Sequence, residues 1–282
     1  MKNKALYLIL VFFLLPVLAF ADDKRFGSDT YTLAQTTLSY RYAEICHNGT
    51  KPLLVLYLHG GSSRGSDNES QLNEVAVGVI YKYLHDRNIP ATLIVPQCPL
   101  GGGWTSQLRR VVNELLRSYV SNGKADVNRI YVVGGPMGGT GTWCQLGNYP
   151  DFYAAAMPVA GNPTSMNAED VAKTPVYTVM GTADNIMSLE TVETFCEEVL
   201  ANGGTLLMDV EEGWTHQDTC EKSYTDARLD WLFSNIRGIS AGILQTPGMK
   251  SPDIESYNLN GIRVSRNYHG IVVQNGKKSL VK

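Results

Sequence analysis

The chain lacks any large excess of charge of one sign. Its 24 Lys and Arg residues nearly balance 27 Asp and Glu residues, which leaves a formal net charge of -3 at pH 7. This balance gives no electrostatic reason to expect binding to nucleic acid, which requires a strongly basic surface. The sequence also lacks the spacing of a metal site, a phosphate-binding loop or a dinucleotide-binding fingerprint. We therefore expect neither a cofactor nor a nucleic-acid partner.

Long hydrophobic runs are also scarce, and one at the N-terminus stands out. Lys2 and Lys4 precede an apolar run from Ala5 to Phe20, which ends in a small-x-small cleavage pattern before Asp22. This pattern predicts a secretory signal peptide over residues 1–21, and an N-terminal membrane anchor is the alternative. No later run is long enough to span a bilayer, so we expect an exported protein without a membrane span after cleavage.

Cysteine is sparse and its count is odd. An exported chain can form disulfides, but five cysteines leave at least one thiol unpaired within the chain. Two alternatives stay open: a Cys196–Cys220 bridge between loops expected to meet in space, or five buried thiols without bridges. The cysteines are Cys46, Cys98, Cys144, Cys196 and Cys220.

Buried strands alternate with helices along most of the chain. The continuous apolar run Leu53–Leu58 is typical of a strand covered on both faces by helices. The predicted strands are 31–46 as an early antiparallel set, 53–58, 91–95, 130–133, 153–159, 176–180 and 206–210. The predicted helices are 74–85, 107–121, the segment after 136, 189–201 and 224–236. This order predicts an α/β fold with a mostly parallel central sheet and helices on both faces.

The C-terminal part changes character. Residues 238–253 contain Gly, Ser, Pro and Thr without periodicity, which is typical of a linker. Residues 271–281 predict a β-hairpin, because Asn275-Gly276 suits the type I′ turn. The predicted organisation is a signal peptide over 1–21, an α/β domain over 22–237, a linker over 238–253 and a C-terminal β tail over 254–282.

One stretch determines which chemistry is available. Residues 129–143 form an apolar strand, a glycine-dense turn and the start of a helix, which is the context of the nucleophile elbow G-x-S-x-G. Gly134 and Gly138 occupy the glycine positions of this motif. The central position, which the motif reserves for serine, is Pro136.

Proline at this position removes the nucleophile and changes the turn. Proline has no hydroxyl, it fixes φ at about -65°, and it favours the first turn of a helix. We therefore expect an ordinary helix start at Pro136. Thr140 and Cys144 lie about 6 and 12 Å further along the helix axis, too far to replace the missing side chain.

Two titratable residues follow neighbouring predicted strands. Asp184 and His216 have the chain order of the acid and the base that follow a serine nucleophile. The carboxyl ends of parallel strands meet at one edge, so these side chains are expected to lie together as the catalytic acid and base. Gly60 and Gly61, in the turn after strand 53–58, and the backbone N–H of Met137 are the predicted oxyanion hole.

These motifs together resemble a known group over the range Leu53 to Ile236. The group is the bacterial carboxylesterase/polyhydroxybutyrate-depolymerase-like branch of α/β-hydrolases, often placed with phospholipase/carboxylesterases and prolyl-oligopeptidase-type domains. The resemblance implies an α/β-hydrolase fold and a secreted esterase acting on plant polysaccharide acyl groups or on polyesters. It departs at the elbow, where the group has Gly-x-Ser-Met-Gly-Gly. The matching residues are 58–61, 95–99 with Trp104, 128–134, 137–143, Gly181 with Asp184, and Gly213 with His216.

The segment from Tyr257 to Lys278 has a separate resemblance. It is similar to the C-terminal tails of secreted Bacteroidetes proteins, which are short β modules associated with export or surface attachment. This implies a secreted or cell-envelope location in a Gram-negative bacterium.

Three functional interpretations follow. The first is a carboxylesterase-type serine hydrolase, acting on a small-molecule ester or a glycan acyl ester and impaired by Pro136. The second is a non-catalytic protein that binds a glycan or ester in the same cleft. Trp104, Trp143 and Trp214 are candidates to line that cleft, although core packing suits Trp143 better. The third is an active esterase in which Pro136 is an individual variant, since serine and proline codons can differ by one base.

Overall fold

A computed structural model describes residues 25–163 and 165–238, and the backbone of 257–258, 270–274 and 277–281. The predicted signal peptide and nearly all of the predicted linker lie outside these residues, as does much of the C-terminal tail. Within the described part of the chain, no helix is both long enough and apolar enough to cross a membrane.

The described residues contain one sheet with the strand order β1-β2-β4-β3-β5-β6-β7-β8-β11-β10-β9. The six strands from β4 to β8 in this order are parallel, and the β1–β2 hairpin joins β4 in antiparallel orientation. This confirms the predicted mostly parallel sheet. The strands are β1 (Gly27–Leu33), β2 (Thr36–Ile45), β3 (Leu53–Leu58), β4 (Ala91–Pro96), β5 (Ile130–Gly134), β6 (Ala155–Pro158), β7 (Val176–Gly181), β8 (Leu206–Glu211), β9 (Tyr257–Asn258), β10 (Gly270–Gln274) and β11 (Lys277–Val281).

Helices connect the parallel strands and cover both faces of the sheet, as the alternating pattern predicts. Two short 3-10 turns, Gly61–Ser63 and Ser70–Asn73, lie between β3 and the first helix. The helices are α1 (Val75–Asp86), α2 (Ser106–Ser121), α3 (Pro136–Asn148), α4 (Ala168–Val171), α5 (Leu189–Ala201), α6 (His216–Lys222) and α7 (Asp226–Ser234).

The sheet separates two hydrophobic cores. Successive side chains of a strand point to opposite faces, so Leu54, Leu56 and Leu58 of β3 join one core while Leu53 and Val55 join the other. Helices α2, α3 and α5 pack in the first core, and α1 and α7 pack in the second. Both faces of the sheet are therefore covered by apolar side chains, which explains why the central strands are continuous apolar runs.

The cysteines are all unpaired thiols. Cys196 of α5 is fully buried in the first core, whereas Cys220 of α6 packs against the second. The sheet lies between them, so the bridge that was one of the two alternatives does not form. Sequence order alone did not show that these two helices cover opposite faces.

Helix α6 was not predicted. The sequence pattern placed one helix over 224–236, whereas the structure has α6 and the shorter α7. Thr215 caps α6 by accepting the backbone N–H of Asp218, while the Asp218 side chain accepts from the N–H of Thr215. This capping box starts a helix at His216 itself.

The C-terminal strands extend the sheet. As predicted, β10 and β11 form an antiparallel pair, and β11 pairs in turn with β8, with Leu280 opposite Met208. The predicted Asn275-Gly276 turn lies outside the described residues. An isolated hairpin is marginally stable in water, so pairing with β8 gives this segment the support that it needs.

Arg228 of α7 forms a buried ionic cluster with β8, and its loss should be costly. Its guanidinium donates to Asp209 at 2.7 and 3.0 Å, to Glu211 at 2.6 Å and to the Ser223 carbonyl at 3.1 Å. We expect Arg228→Met to lower the free energy of unfolding by about 3–5 kcal/mol, because it removes a buried guanidinium that pairs with two largely buried carboxylates. Urea denaturation measures this change.

The exposed pair between Lys173 and Asp170 supplies a control for the Arg228 variant. Lys173→Met removes a solvated ion pair, which is worth about 0–1 kcal/mol. Similar losses of stability in the two variants would show that the Arg228 cluster is no stronger than a surface pair.

Candidate active site

A cavity of about 630 Å³ opens at the carboxyl ends of the parallel strands. Pro136 at the start of α3 and His216 at the start of α6 both line it. Its wall includes the apolar side chains of Trp104, Met137, Ile186 and Met187, together with the polar side chains of Arg109 and Thr140. The strand-end arrangement thus brings the predicted nucleophile position and the predicted base to one cavity.

His216 and Asp184 form a hydrogen-bonded pair. The distance from His216 Nδ1 to Asp184 Oδ2 is 2.8 Å. The Asp184 side chain is fully buried, and its Oδ1 accepts the backbone N–H groups of Ile186 and Met187, each at 2.9 Å. Because Nδ1 faces the carboxylate, Nε2 is the imidazole nitrogen on the opposite side of the ring. This is the geometry that orients a histidine as a general base.

Pro136 occupies the first position of α3. Gly135 is the N-cap in an extended conformation, with φ -104° and ψ 168°. Residue 136 has no positive φ, and α3 begins at this residue as an ordinary helix. This confirms the expectation based on the fixed φ and missing N–H of proline.

The glycines of the motif are required by packing as well. A Cβ at Gly138 would lie 1.7 Å from the carbonyl oxygen of Leu58, and one at Gly134 would lie 2.6 Å from the same atom. Helix α3 therefore approaches the backbone of β3 closely. The glycine pattern serves the fold whether or not residue 136 is a nucleophile.

The turn that follows β3 is fixed by buried hydrogen bonds. His59 Nε2 accepts the backbone N–H of Cys98 at 2.8 Å, so the ring proton is on Nδ1, which donates to the Gly60 carbonyl at 2.6 Å. Burial lowers the pKa of His59, which keeps the ring neutral. Trp104 Nε1–H also donates to the His59 carbonyl at 3.1 Å.

Glu74 corrects the prediction for Gly60. The Gly60 N–H donates to Glu74 Oε1 at 2.9 Å, and the hydroxyls of Ser63 and Tyr57 donate to the same carboxylate. This N–H is therefore not free to bind an oxyanion. Glu74 lies fourteen residues further along the chain, and no motif pointed to this contact.

The other two predicted oxyanion donors lie at the cavity. Gly61 and Met137 both line it. Met137 is the second residue of α3, so its N–H is among those that a helix leaves without an intrahelical acceptor.

Comparison with known proteins agrees with this architecture. Residues 100–228 match the dienelactone hydrolase family. The fold is similar to that of a thermostable esterase, with 24% identity, a TM-score of 0.68 and coverage of 76% of this chain and 63% of that chain. The chain has the α/β-hydrolase fold. This chain spans less than two thirds of the length of the thermostable esterase.

Two further solved structures show the same α/β-hydrolase fold. Est1E from Butyrivibrio proteoclasticus has 12% identity and a TM-score of 0.55, over 74% of this chain and 96% of that chain. An acylaminoacyl peptidase from Pyrococcus horikoshii has 13% identity and a TM-score of 0.58, over 78% of this chain and 43% of that chain. A search of curated protein sequences finds no match.

Several hydroxyl and thiol groups lie in or near the cavity of this α/β-hydrolase fold, and those of Ser62, Thr140 and Cys144 line it. Thr140 Oγ1 accepts the N–H of Asn162 at 2.9 Å. Burial raises the pKa of the Cys144 thiol, and burial together with nearby carboxylates raises that of Cys220 to about 12. Among the described residues, no hydroxyl or thiol hydrogen-bonds to the imidazole of His216. None of these groups is thus hydrogen-bonded to His216 as a serine nucleophile would be.

The tryptophans that were candidates to line the cleft have three different positions. Trp104 lines the cavity. Trp143 is fully buried in the first core, 5.5 Å from the ring of Phe195, as core packing suggested. Trp214 packs against the second core, and its carbonyl accepts the N–H of Ala183. Of these three tryptophans, Trp104 is therefore the one that lines the cavity.

Sequence reasoning missed several further lining residues, three of which have long side chains. Ile186 and Met187 follow Asp184 in the same loop, and the hydrogen bonds from their backbone to Asp184 bring them to the cavity. Arg109 of α2 also lines the cavity, and its guanidinium is held by the Asn148 side chain and the Trp104 carbonyl. An exposed loop and an amphipathic helix gave no signal for these roles.

Proposed function

We propose that this protein is a carboxylic ester hydrolase by origin whose natural chain cannot hydrolyse an ester through residue 136. The observation that carries the proposal is Pro136 at the first position of α3, in the same cavity as the paired His216 and Asp184. The match to the dienelactone hydrolase family and the fold of esterases support the hydrolase origin.

The cavity favours a small ester with an apolar part. Trp104, Met137, Ile186 and Met187 supply apolar surface, and burying such surface provides most of the affinity of a small-molecule site. A polysaccharide acyl ester is supported by the sequence resemblance alone. Export to the cell envelope or beyond is supported by the signal-peptide pattern of residues 1–21 and by the tail resemblance.

The residues present would divide the work of acyl transfer as follows. A hydroxyl at 136 would attack the ester carbonyl, and His216 Nε2 would take its proton while Asp184 holds the ring through Nδ1. The N–H groups at Gly61 and Met137 are the candidates to stabilise the resulting oxyanion. With Pro136 there is no proton to remove and no acyl-enzyme can form, so the cycle stops before its first step.

Restoring the hydroxyl tests this proposal. We expect Pro136→Ser to hydrolyse p-nitrophenyl butyrate with a kcat at least ~10³-fold above that of the natural chain. This gain is smaller than the roughly 10⁶-fold contribution that a complete triad makes to kcat. Pro136→Ala is the matched control, because it also releases the proline constraint but supplies no nucleophile. Initial rates of the three purified chains give the comparison.

The outcomes separate the interpretations. Equal rates for the natural chain and Pro136→Ala, with a large gain in Pro136→Ser, support a disabled hydrolase. A rapid natural chain whose rate depends on His216 would refute it, as would a folded Pro136→Ser chain with no gain.

Binding without turnover is the second candidate function, and the open cavity favours it. A volume of about 630 Å³ remains beside Pro136, within the range of about 300–1,000 Å³ of small-molecule sites. We expect intact p-nitrophenyl butyrate to bind the natural chain in equilibrium titrations. Met187→Trp should fill the cavity and weaken binding at least ~10-fold, whereas the same change at the exposed Leu100 should not. Absence of binding to the natural chain would exclude this function for the ester.

A further inference from the structure

A second cavity, of about 250 Å³, lies between the β1–β2 hairpin and α2. It shares no lining residue with the candidate active site. Four tyrosines line it, and we call it the tyrosine cleft: Tyr31 of β1, Tyr40 and Tyr42 of β2, and Tyr119 of α2. Its volume is below the roughly 300 Å³ of the smallest drug-sized pockets, so it suits one small ring.

The hairpin register builds one side of the tyrosine cleft. Asp29 lies directly opposite Tyr40 across the two strands, and Tyr31 lies opposite Leu38. Since alternate residues share a face, Asp29 and Tyr31 of β1 stand beside Tyr40 and Tyr42 of β2. These four side chains therefore lie on the face of the hairpin that is turned toward α2.

The aromatic surface is held in place before any ligand arrives. Tyr40 is buried, and its hydroxyl donates to Asp29 Oδ2 at 3.2 Å. Burial, with the neighbouring Tyr119 and Asp29, raises the pKa of Tyr40, so this hydroxyl stays protonated at every physiological pH. The ring of Tyr42 lies 6.0 Å from that of Tyr40, at an angle of 45°. Tyr40 is too buried to contact a ligand, but Tyr31, Tyr42 and Tyr119 are half-buried and leave part of each ring open to the cleft. A tyrosine held in place in this way offers rigid apolar area with a polar tip at low entropic cost.

The polar lining is of mixed sign. Asp29 and Glu44 supply carboxylates, Lys124 an ammonium group, and Ser118 and Asn122 neutral donors and acceptors. Such a set matches a ligand with many hydroxyl groups and no net charge. An anion is disfavoured, because the two carboxylates outnumber the single ammonium group. The Lys124 ammonium lies 5.9 Å from the centre of the Tyr119 ring and so already occupies an aromatic position that a ligand cation would take.

We propose that the tyrosine cleft binds a single neutral sugar ring, as a site separate from the ester cavity. The apolar C–H face of the sugar packs on the half-buried rings of Tyr31, Tyr42 and Tyr119. Its hydroxyls hydrogen-bond to the side chains of Asp29, Glu44 and Asn122. Such a site would attach the protein to a glycan independently of whether an ester is bound or hydrolysed in the cavity beside Pro136.

Binding of simple glycosides to the full natural chain tests this assignment. The probes are methyl β-D-glucopyranoside, methyl β-D-xylopyranoside and methyl α-D-mannopyranoside, titrated into the millimolar range and followed by NMR. We expect saturable binding of at least one glycoside, weakened ~10-fold or more by Tyr119→Ala and by Asn122→Ala. Asn122 is exposed, so its variant keeps the test valid if Tyr119→Ala fails to fold.

Two control variants complete the experiment. Tyr149→Ala removes a half-buried tyrosine that packs against the same core but lines neither cavity, and Met187→Trp fills the ester cavity. Both should bind the glycoside as the natural chain does. The assignment fails if none of the three glycosides binds, if choline chloride displaces the bound sugar, or if Met187→Trp abolishes binding while Asn122→Ala does not.

Discussion

Gly138→Ala is expected to lower the free energy of unfolding by more than about 4 kcal/mol or to prevent folding, an effect that few single substitutions reach. The added Cβ would lie 1.7 Å from the Leu58 carbonyl oxygen and 2.4 Å from its carbon. Both atoms belong to the backbone of β3, which is buried in the middle of the sheet. Neither the strand nor α3 can move away without breaking its ladder or its packing.

Gly78→Ala is the matched control for this prediction. Gly78 is inside α1, and a Cβ there would have no atom within 4 Å. Alanine should therefore stabilise the protein by about 0.5–1 kcal/mol through its higher helix propensity. Urea denaturation of both variants measures the contrast. If Gly138→Ala were as stable as the natural chain, the close approach of α3 to β3 would be wrong.

The second large effect concerns the hydrogen-bonded pair in the cavity. In a chain that carries Pro136→Ser, we expect Asp184→Asn to reduce kcat by about 10⁴-fold. An asparagine amide can donate to Nδ1, which favours the tautomer whose Nε2 carries a proton and cannot act as a base. In the same chain, His216→Ala removes the imidazole and should reduce kcat by at least ~10³-fold, because the serine hydroxyl then has no proton acceptor.

Asp67→Asn provides the control for substituting a turn-forming aspartate. Asp67 accepts the backbone N–H groups of Glu69 and Ser70, much as Asp184 accepts two N–H groups, but it does not line the cavity. We expect no change in kcat from this variant in the Pro136→Ser chain. Thermal denaturation of each variant separates loss of activity from loss of fold. Undiminished turnover in Asp184→Asn would rule out the proposed role of the pair.

Short sequence patterns predicted those strands and helices whose bounds are set by neighbouring residues in the chain. The apolar run of β3 and the bounds of α5 agree with the structure, and Gly203, with φ +80°, ends α5 where the sequence predicted its stop. The helix start at Pro136 followed from the covalent geometry of proline. The pairing of His216 with Asp184 followed from strand order, because the ends of adjacent parallel strands share one edge.

Contacts between distant segments were beyond these patterns. The bond from the Gly60 N–H to Glu74 and the opposite-face positions of Cys196 and Cys220 depend on how helices cover the sheet. The tyrosine cleft likewise needs the register of β1 against β2 and the position of α2. The signal peptide over 1–21 and the domain boundaries stay predictions.

The bonding of Asp184 has a consequence for how this protein retains its Asp184–His216 pair. One oxygen of its carboxylate holds the loop backbone at Ile186 and Met187, and the other holds His216, which is itself the first residue of a capped helix. A mutation at either residue would therefore disturb folding even in a chain that catalyses nothing. Selection for a stable fold alone can keep the pair intact, so under the proposed function a change at the single codon for residue 136 is enough to remove or restore the chemistry.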